Sequence, residues 1–143
     1  IIKYVNMKYA NYKISKAMDT LGYDGSNCHA FYANKYSYSH NLFTESKLYE
    51  SINHNDTTNI KRVCKEFSAP TYEEVIDFFE DKYKIKITSE HQNITGMWYC
   101  YIWEFIETKW IRKKYIIQSF QYKHEAHKAA IEYLLKEHFN IKI

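Results

Sequence analysis

Two histidines, His124 and His127, lie three residues apart near the C-terminal end of the chain, a spacing that places two side chains on one face of a helix. Two imidazoles on one face can share a metal ion. A zinc site needs three or four ligands, however, and no Cys or Asp is suitably spaced to complete the set. The sequence between them also lacks the spacing of a metalloprotease helix. We therefore expect solvated histidines at the start of a helix, and no metal site.

The three cysteines follow one another at intervals of 36 residues, at Cys28, Cys64 and Cys100. None has a second cysteine close enough in sequence to form a zinc knuckle or a redox pair. This pattern is typical of buried free thiols in a protein of a reducing compartment.

A cluster of carboxylates is the remaining feature that resembles catalytic machinery: Glu73, Glu74, Asp77, Glu80 and Asp81. The carboxylates of a two-metal nuclease converge from several elements, whereas these all lie within one predicted helix and indicate a solvated helix face. The three glycines of the chain form no phosphate-binding loop, and no nucleophile stands out. We expect no catalytic residues, no cofactor and a non-enzymatic function; an enzyme whose residues come together from separate loops is the third alternative, after binding of a protein or of a nucleic acid.

Aromatic residues alternate along one predicted strand. Strand alternation places Tyr99, Tyr101, Trp103 and Phe105 on one face, and Trp98, Cys100, Ile102 and Ile106 on the other. If helices cover the second set, the rings either pack against residues 1–67, which we expect, or remain exposed as a binding surface. Tyr99, Tyr101, Trp103 and Trp110 are the predicted partner-binding residues, because Trp and Tyr are common anchors of protein interfaces.

Basic residues beside these rings indicate an alternative. Arg112, Lys113 and Lys114 lie within the second strand of the same hairpin, and rings next to cations are typical of surfaces that stack single-stranded bases and attract phosphates. The net charge of +3 permits a nucleic-acid partner. With only 2 Arg against 18 Lys, sequence-specific reading of DNA is disfavoured.

The elements that position these residues are clearest in the second half of the chain. Pro70, with a capping box formed by Thr71 and Glu74, predicts a helix that ends near Lys84. Its predicted buried stripe is Val75, Phe78, Phe79 and Tyr83. A strand over 85–88, a hairpin of strands over 97–106 and 110–120, and an amphipathic helix over 123–139 follow. Ala126, Ala129, Ala130, Tyr133 and Leu134 are expected to face inward on that last helix.

The first half has weaker signals. Helical spacing predicts a helix over 11–21 that stops at Gly22. Strands over 28–33 and 36–43 are predicted as a hairpin. Residues 44–58 are predicted as loop with one strand near 48–52, and 59–67 fits either a short helix or a strand.

The composition of these 143 residues, with 45% hydrophobic and 18% aromatic side chains, supports a folded core. We expect an α+β protein in which an antiparallel sheet is covered by helices. Residues 68–143 are predicted to form an αβββα unit and residues 1–67 an N-terminal helix-plus-hairpin extension, within one compact domain. No apolar run is long enough to span a membrane and no segment of this sequence resembles an export signal, so a cytoplasmic location is expected.

The order helix, three strands, helix, together with the segment Tyr122-Lys-His-Glu-Ala-His-Lys-Ala-Ala130, resembles a double-stranded-RNA-binding domain. That resemblance covers the second half of the chain. It implies that Lys123 and Lys128 grip phosphates at the start of the last helix, with help from His124 and His127.

A second resemblance spans most of the chain. Tyr4-Val5, the segment Tyr12 to Asp24, Ala69-Pro70-Thr71-Tyr72, the segment Tyr83 to Ile87 and the segment Tyr122 to Leu135 resemble small uncharacterised proteins of Bacteroidales phages and prophages. The resemblance implies a phage context, hence the cytoplasm of a bacterial host, and no established activity. We expect a non-enzymatic phage or prophage accessory protein that binds a protein partner. The alternative is a nucleic-acid-binding protein that uses Arg112, Lys113, Lys114, Lys123 and Lys128.

Overall fold

The computed structural model of the chain describes residues 8–26, 28, 30–35, 40–44 and 63–143. The protein is α+β, with antiparallel sheets and helices, as predicted. It divides into two compact units, Ile1–Thr71 and Tyr72–Ile143, close to the predicted boundary after residue 67. Each unit is described separately, and the expectation that both form one compact domain remains a prediction.

The first unit begins with helix α1 (Tyr12–Thr20), which fits the predicted helix. Asn11 caps it, because its Oδ1 accepts a hydrogen bond of 2.9 Å from the backbone N–H of Ile14. The helix ends at Thr20 with Leu21 as its C-cap, and Gly22 follows with a φ of +81°, a left-handed conformation that favours glycine.

Three strands complete the described part of the first unit: β1 (Ala30–Lys35), β2 (His40–Thr44) and β3 (Val63–Ser68). The sheet order is β2-β1-β3 with antiparallel pairing, which confirms that β1 and β2 pair as predicted. The predicted bounds were wrong, because β1 extends through residues 34 and 35, where the connection was expected. The ambiguous segment 59–67 is a strand from Val63 onward, whereas the strand predicted near 48–52 lies outside the described residues.

Aromatic packing forms the core of the first unit. Tyr32 and Phe67 are buried, and their rings contact Tyr12 at centroid distances of 5.5 and 5.1 Å. The Tyr32 hydroxyl donates a hydrogen bond of 2.9 Å to the carbonyl of Ala10, so its polar end is satisfied inside the core.

The second unit has the predicted αβββα order: α2 (Tyr72–Tyr83), β4 (Ile85–Gln92), β5 (Met97–Ile106), β6 (Lys109–Phe120) and α3 (Lys123–Tyr133). A π-helical turn, Leu134–His138, extends α3. Strand β4 is longer than the predicted 85–88, because β5 pairs with it from Ile85 to Gln92. Every helix among the described residues is too short and too polar to cross a membrane.

The core of the second unit lies between the helices and one face of its sheet. Fully buried residues come from α2, from the strands, from α3 and from its π-helical turn: Val75, Phe79, Ile85, Cys100, Ile102, Ala126, Ala130, Ile131 and Leu135. Phe79 and Tyr83 of α2 also contact the ring of Phe139, at centroid distances of 5.6 and 4.7 Å. The predicted inward positions Ala129 and Tyr133 are only half-buried, as are Phe78 and Tyr83.

The hairpin of β5 and β6 is irregular at three places. Glu107, in the two-residue turn, has a φ of +60°, which is uncommon for a residue with a side chain. The register of β6 shifts twice: Ile102 pairs with Lys114 and Trp103 with Arg112, and a second shift lies between Trp98 and Cys100. At the first of these β-bulges, Lys113 is the extra residue, without a partner on β5.

Candidate functional site

The β4-β5-β6 sheet has two faces of different character. We call the face that α2 and α3 cover the helix face, on which Ile85, Ile87, Cys100 and Ile102 are buried. The opposite side is the ring face, which consists of Tyr99, Tyr101, Trp103, Phe105, Trp110 and Tyr115 with Lys86, Thr88, Glu90 and Arg112. The four predicted partner-binding residues, Tyr99, Tyr101, Trp103 and Trp110, all lie on the ring face.

Most of the aromatic side chains on the ring face contact one another across the two strands. Tyr115 lies with near-parallel ring planes beside Tyr101 and Tyr99, at centroid distances of 5.2 and 6.2 Å. Phe105 contacts Trp110 at 5.3 Å. Such cross-strand aromatic pairs stabilise the pairing of β5 with β6 and fix the position of each ring.

The polar ends of two aromatic side chains form hydrogen bonds with side chains of β4. Nε1 of Trp103 donates a hydrogen bond of 2.8 Å to Oγ1 of Thr88, and the hydroxyl of Tyr101 donates one of 3.3 Å to Oε2 of Glu90. Burial, followed by the charge and hydrogen bond of Glu90, raises the pKa of Tyr101, so its hydroxyl is a donor at neutral pH. Both rings are therefore held in place by the sheet itself.

Cations lie over the same rings. The guanidinium of Arg112 is 5.1 Å from the ring centroid of Tyr101, and Nζ of Lys86 is 4.5 Å from that of Trp110. Lys86 also forms an ion pair with Glu80 of α2, at 3.7 Å. Among the described residues, no carboxylate forms an ion pair with Arg112.

Part of the ring face is accessible in the structure. Phe105 is 42% exposed and Tyr115 is 36% exposed, while Tyr99, Tyr101, Trp103 and Trp110 are half-buried. The expectation that residues 1–67 cover these rings remains a prediction.

The five basic residues of the nucleic-acid alternative have different neighbours. Arg112 lies on the ring face, whereas Nζ of Lys114 is 5.2 Å from the ring centroid of Tyr133 on α3. Lys123 lies over Trp98, Lys128 pairs with Glu132 at 3.9 Å, and Lys113 is exposed.

The bulge at Lys113 explains why Arg112 and Lys114 diverge. Strict alternation would place residues 112 and 114 on the same face, but the extra residue shifts the alternation by one position. We expected three cations beside one row of rings. Arg112 lies on the ring face as expected, whereas Lys114 does not.

One sequence prediction about the histidines is wrong. His127 is 7% exposed rather than solvated, and its Nε2 is hydrogen bonded to Oγ of Ser89 at 3.1 Å. Burial, and next the positive charge of Lys123, lower the pKa of His127 from the usual 6.5 to about 4. His127 is thus a neutral core residue at physiological pH, while His124 is half-buried with its ring stacked on Tyr122.

The two described cysteines show no sign of an activated thiol. Burial raises the pKa of the Cys100 thiol to about 12, and the half-buried Cys28 has its Sγ 3.6 Å from the Tyr23 hydroxyl. Within the residues that the structure describes, no three His, Cys, Asp or Glu side chains come together to hold a metal ion.

A groove of about 410 Å³ between β6 and α3 is lined by Lys114, Gln118, Glu132 and Tyr133 among others.

Comparisons with protein-family models, with curated proteins and with solved structures each found no match to this chain.

The sequence prediction missed the contribution of β4 to the ring face. Lys86, Thr88 and Glu90 alternate along β4 and contact the rings through their side chains. A strand prediction extended to Gln92 would have placed all three on one face, but the polar run after Ile87 resembles a loop until its pairing with β5 is known.

Proposed function

We propose that this chain is a non-enzymatic binding protein whose ring face contacts a protein partner. The proposal rests on the observation that the rings are held in place by hydrogen bonds, from Trp103 to Thr88 and from Tyr101 to Glu90, while neighbouring rings remain accessible. Side chains that are already ordered lose little conformational entropy on binding, so more of the contact energy contributes to affinity.

The residue types on the ring face support a protein partner. Tyr, Trp and Arg are the residues most enriched at energetic hot spots of protein interfaces, and the ring face combines all three. The cations over Tyr101 and Trp110 already occupy one side of each ring, which leaves less aromatic surface for stacking with nucleic-acid bases.

The resemblance to phage and prophage proteins supports a role as a phage accessory protein. On that basis the proposed partner is a protein in the cytoplasm of an infected or lysogenic bacterium.

A displayed library of random peptides, selected against the purified full chain, tests the proposal. We expect peptides whose affinity falls by about 2 kcal/mol, or roughly thirtyfold, when Tyr115 or Phe105 is changed to Ala. Tyr122→Ala is the matched control, because Tyr122 is 47% exposed and contacts His124 rather than the ring face. Peptides that are indifferent to the ring-face changes, or equally sensitive to Tyr122→Ala, would contradict the proposal.

Nucleic-acid binding is the second candidate, and the charge of β6 favours it. Lys109, Arg112, Lys113 and Lys114 give this strand four cations and no carboxylate. Fluorescence anisotropy with labelled poly-dT and with duplex RNA, at about 50 and about 200 mM salt, tests it. A nucleic-acid binder would lose affinity steeply between the two salt concentrations, and no binding at the lower one would refute this candidate.

A further inference from the structure

The environment of Arg112 resembles that of a receptor for a carboxylate. Its guanidinium lies over the ring of Tyr101, and the Tyr101 hydroxyl is in turn held by Glu90 of β4. A guanidinium that rests on an aromatic face keeps its N–H groups at the edge of its plane, where they can bind a carboxylate in a bidentate manner.

The charges around Arg112 favour an acidic ligand. Lys113, the extra residue of the bulge, is exposed next to it, and β6 carries no acidic residue. Glu90 of β4 is the carboxylate of the ring face, and it accepts the hydrogen bond of Tyr101 and forms no ion pair with Arg112. Lys86, the other cation of the ring face, already has Glu80 as its ion-pair partner at 3.7 Å. Arg112 is therefore the ring-face cation without an ion-pair partner among the described residues, and Lys113 lies next to it in sequence.

We propose that the partner of the ring face presents an acidic peptide segment, with one Asp or Glu carboxylate bound by Arg112 on Tyr101 and flanking apolar side chains on Phe105, Trp110 and Tyr115. This inference rests on the proposed function and specifies the chemistry of its partner. The carboxylate defines position and charge, while the rings supply apolar contact area.

The test uses the peptides selected against the full chain and measures the coupling energy between the peptide carboxylate and Arg112. Changing the recurrent Asp or Glu of a selected peptide to its amide is expected to weaken binding to the wild-type chain roughly tenfold to hundredfold. The same change is expected to have little effect on binding to the Arg112→Gln variant, because the partner charge is already gone. Arg112→Lys keeps the charge but loses the bidentate geometry, and is expected to recover only part of the affinity.

Lys114→Gln is the matched control. It removes one positive charge from the same strand, two residues away, but on the side of Tyr133 rather than on the ring face. Wild-type affinity in this variant, with circular dichroism showing that both variants are folded, would support a local contact rather than an effect of net charge.

The outcomes separate the two proposals. Peptides that depend on Phe105 and Tyr115 but carry no recurrent acidic residue, or show no coupling to Arg112, overturn the carboxylate inference and leave the proposed function standing. The absence of any peptide that depends on the ring face overturns both. Binding of poly-dT or duplex RNA that is lost in Arg112→Gln would identify the bound anion as phosphate and overturn the assignment to an acidic peptide.

Discussion

On strand β5, residues only three positions apart meet opposite environments. Ile102 is 2% exposed on the helix face, whereas Phe105 is 42% exposed on the ring face. Both residues are apolar, so hydrophobicity alone does not distinguish the core from a surface in this sheet.

The polar groups distinguish the two faces better. Buried residues of the helix face within the sheet are mainly aliphatic, such as Ile85 and Ile102. Ring-face residues combine apolar area with N–H and O–H groups, and Thr88 and Glu90 of β4 accept the hydrogen bonds that these groups donate. The comparison teaches that a strand can be apolar on both faces when one of them carries amphipathic rings instead of aliphatic chains.

The largest expected effect tests which face contains the core. Ile102→Ala is expected to lower the free energy of unfolding by about 2–5 kcal/mol, because it removes buried methyl groups and leaves a cavity. Phe105→Ala is expected to cost about 1 kcal/mol or less, since much of that ring is exposed. Urea unfolding followed by Trp fluorescence measures both, because all three Trp residues lie in the second unit. Equal losses would show that the ring face is core as well, and would remove the distinction.

The next effect concerns His127, the buried histidine of α3 that contacts Ser89 of β4. The folded pKa of His127 is about 4 against the usual 6.5, so between these values the unfolded chain binds a proton that the folded chain does not. Stability is therefore expected to fall as the pH decreases from 6.5 to 4, by about 3 kcal/mol from this group, and no further below that window.

His127→Gln isolates that contribution. The variant retains a polar group near Ser89 but does not titrate, and carboxylates that titrate in both proteins cancel in the difference. The free energy of unfolding of the wild type should decline more steeply than that of the variant between pH 6.5 and pH 4. Parallel curves would show that His127 is solvated and protonates freely.

The smallest effect sharpens the description of the ring face. Trp103→Phe removes the hydrogen bond to Thr88, and Thr88→Val leaves Nε1 of Trp103 without its acceptor, so each change is expected to cost about 1 kcal/mol. The double variant should lose less than the sum of the single losses, because both changes remove the same bond. Urea unfolding of the four proteins gives the coupling, and strictly additive losses would show that the bond does not hold the ring.

Local signals predicted much of the fold. Pro70 and the residues after it identified the start of α2 at Tyr72, and the alternation of rings predicted β5 from Met97 to Ile106 without error. These signals succeeded because they depend on nearby residues: a proline ring, a cap or an alternating strand.

The features that the sequence did not predict depend on distant partners. His127 is buried because Ser89, on β4, lies against it, and nothing near His127 in sequence indicates this contact. Arg112 and Lys114 lie on opposite faces of the sheet because of a β-bulge, and no proline or glycine in this segment of the sequence indicates that bulge. Of the candidate site, the rings were predicted from alternation, whereas their hydrogen-bond acceptors on β4 were not.

The two bulges of β6 also bear on how the hairpin avoids mispairing. Two regular strands can slide by two residues and still keep every side chain on its original face, so such slipped pairings compete with the native one during folding. In this hairpin the 12 residues of β6 lie opposite only nine residues of β5, Trp98–Ile106, so the pairing fits only if the surplus residues of β6 fall at the native positions. A slipped chain would place a surplus residue opposite a regular stretch, and the irregularities thereby act as markers that select a single alignment.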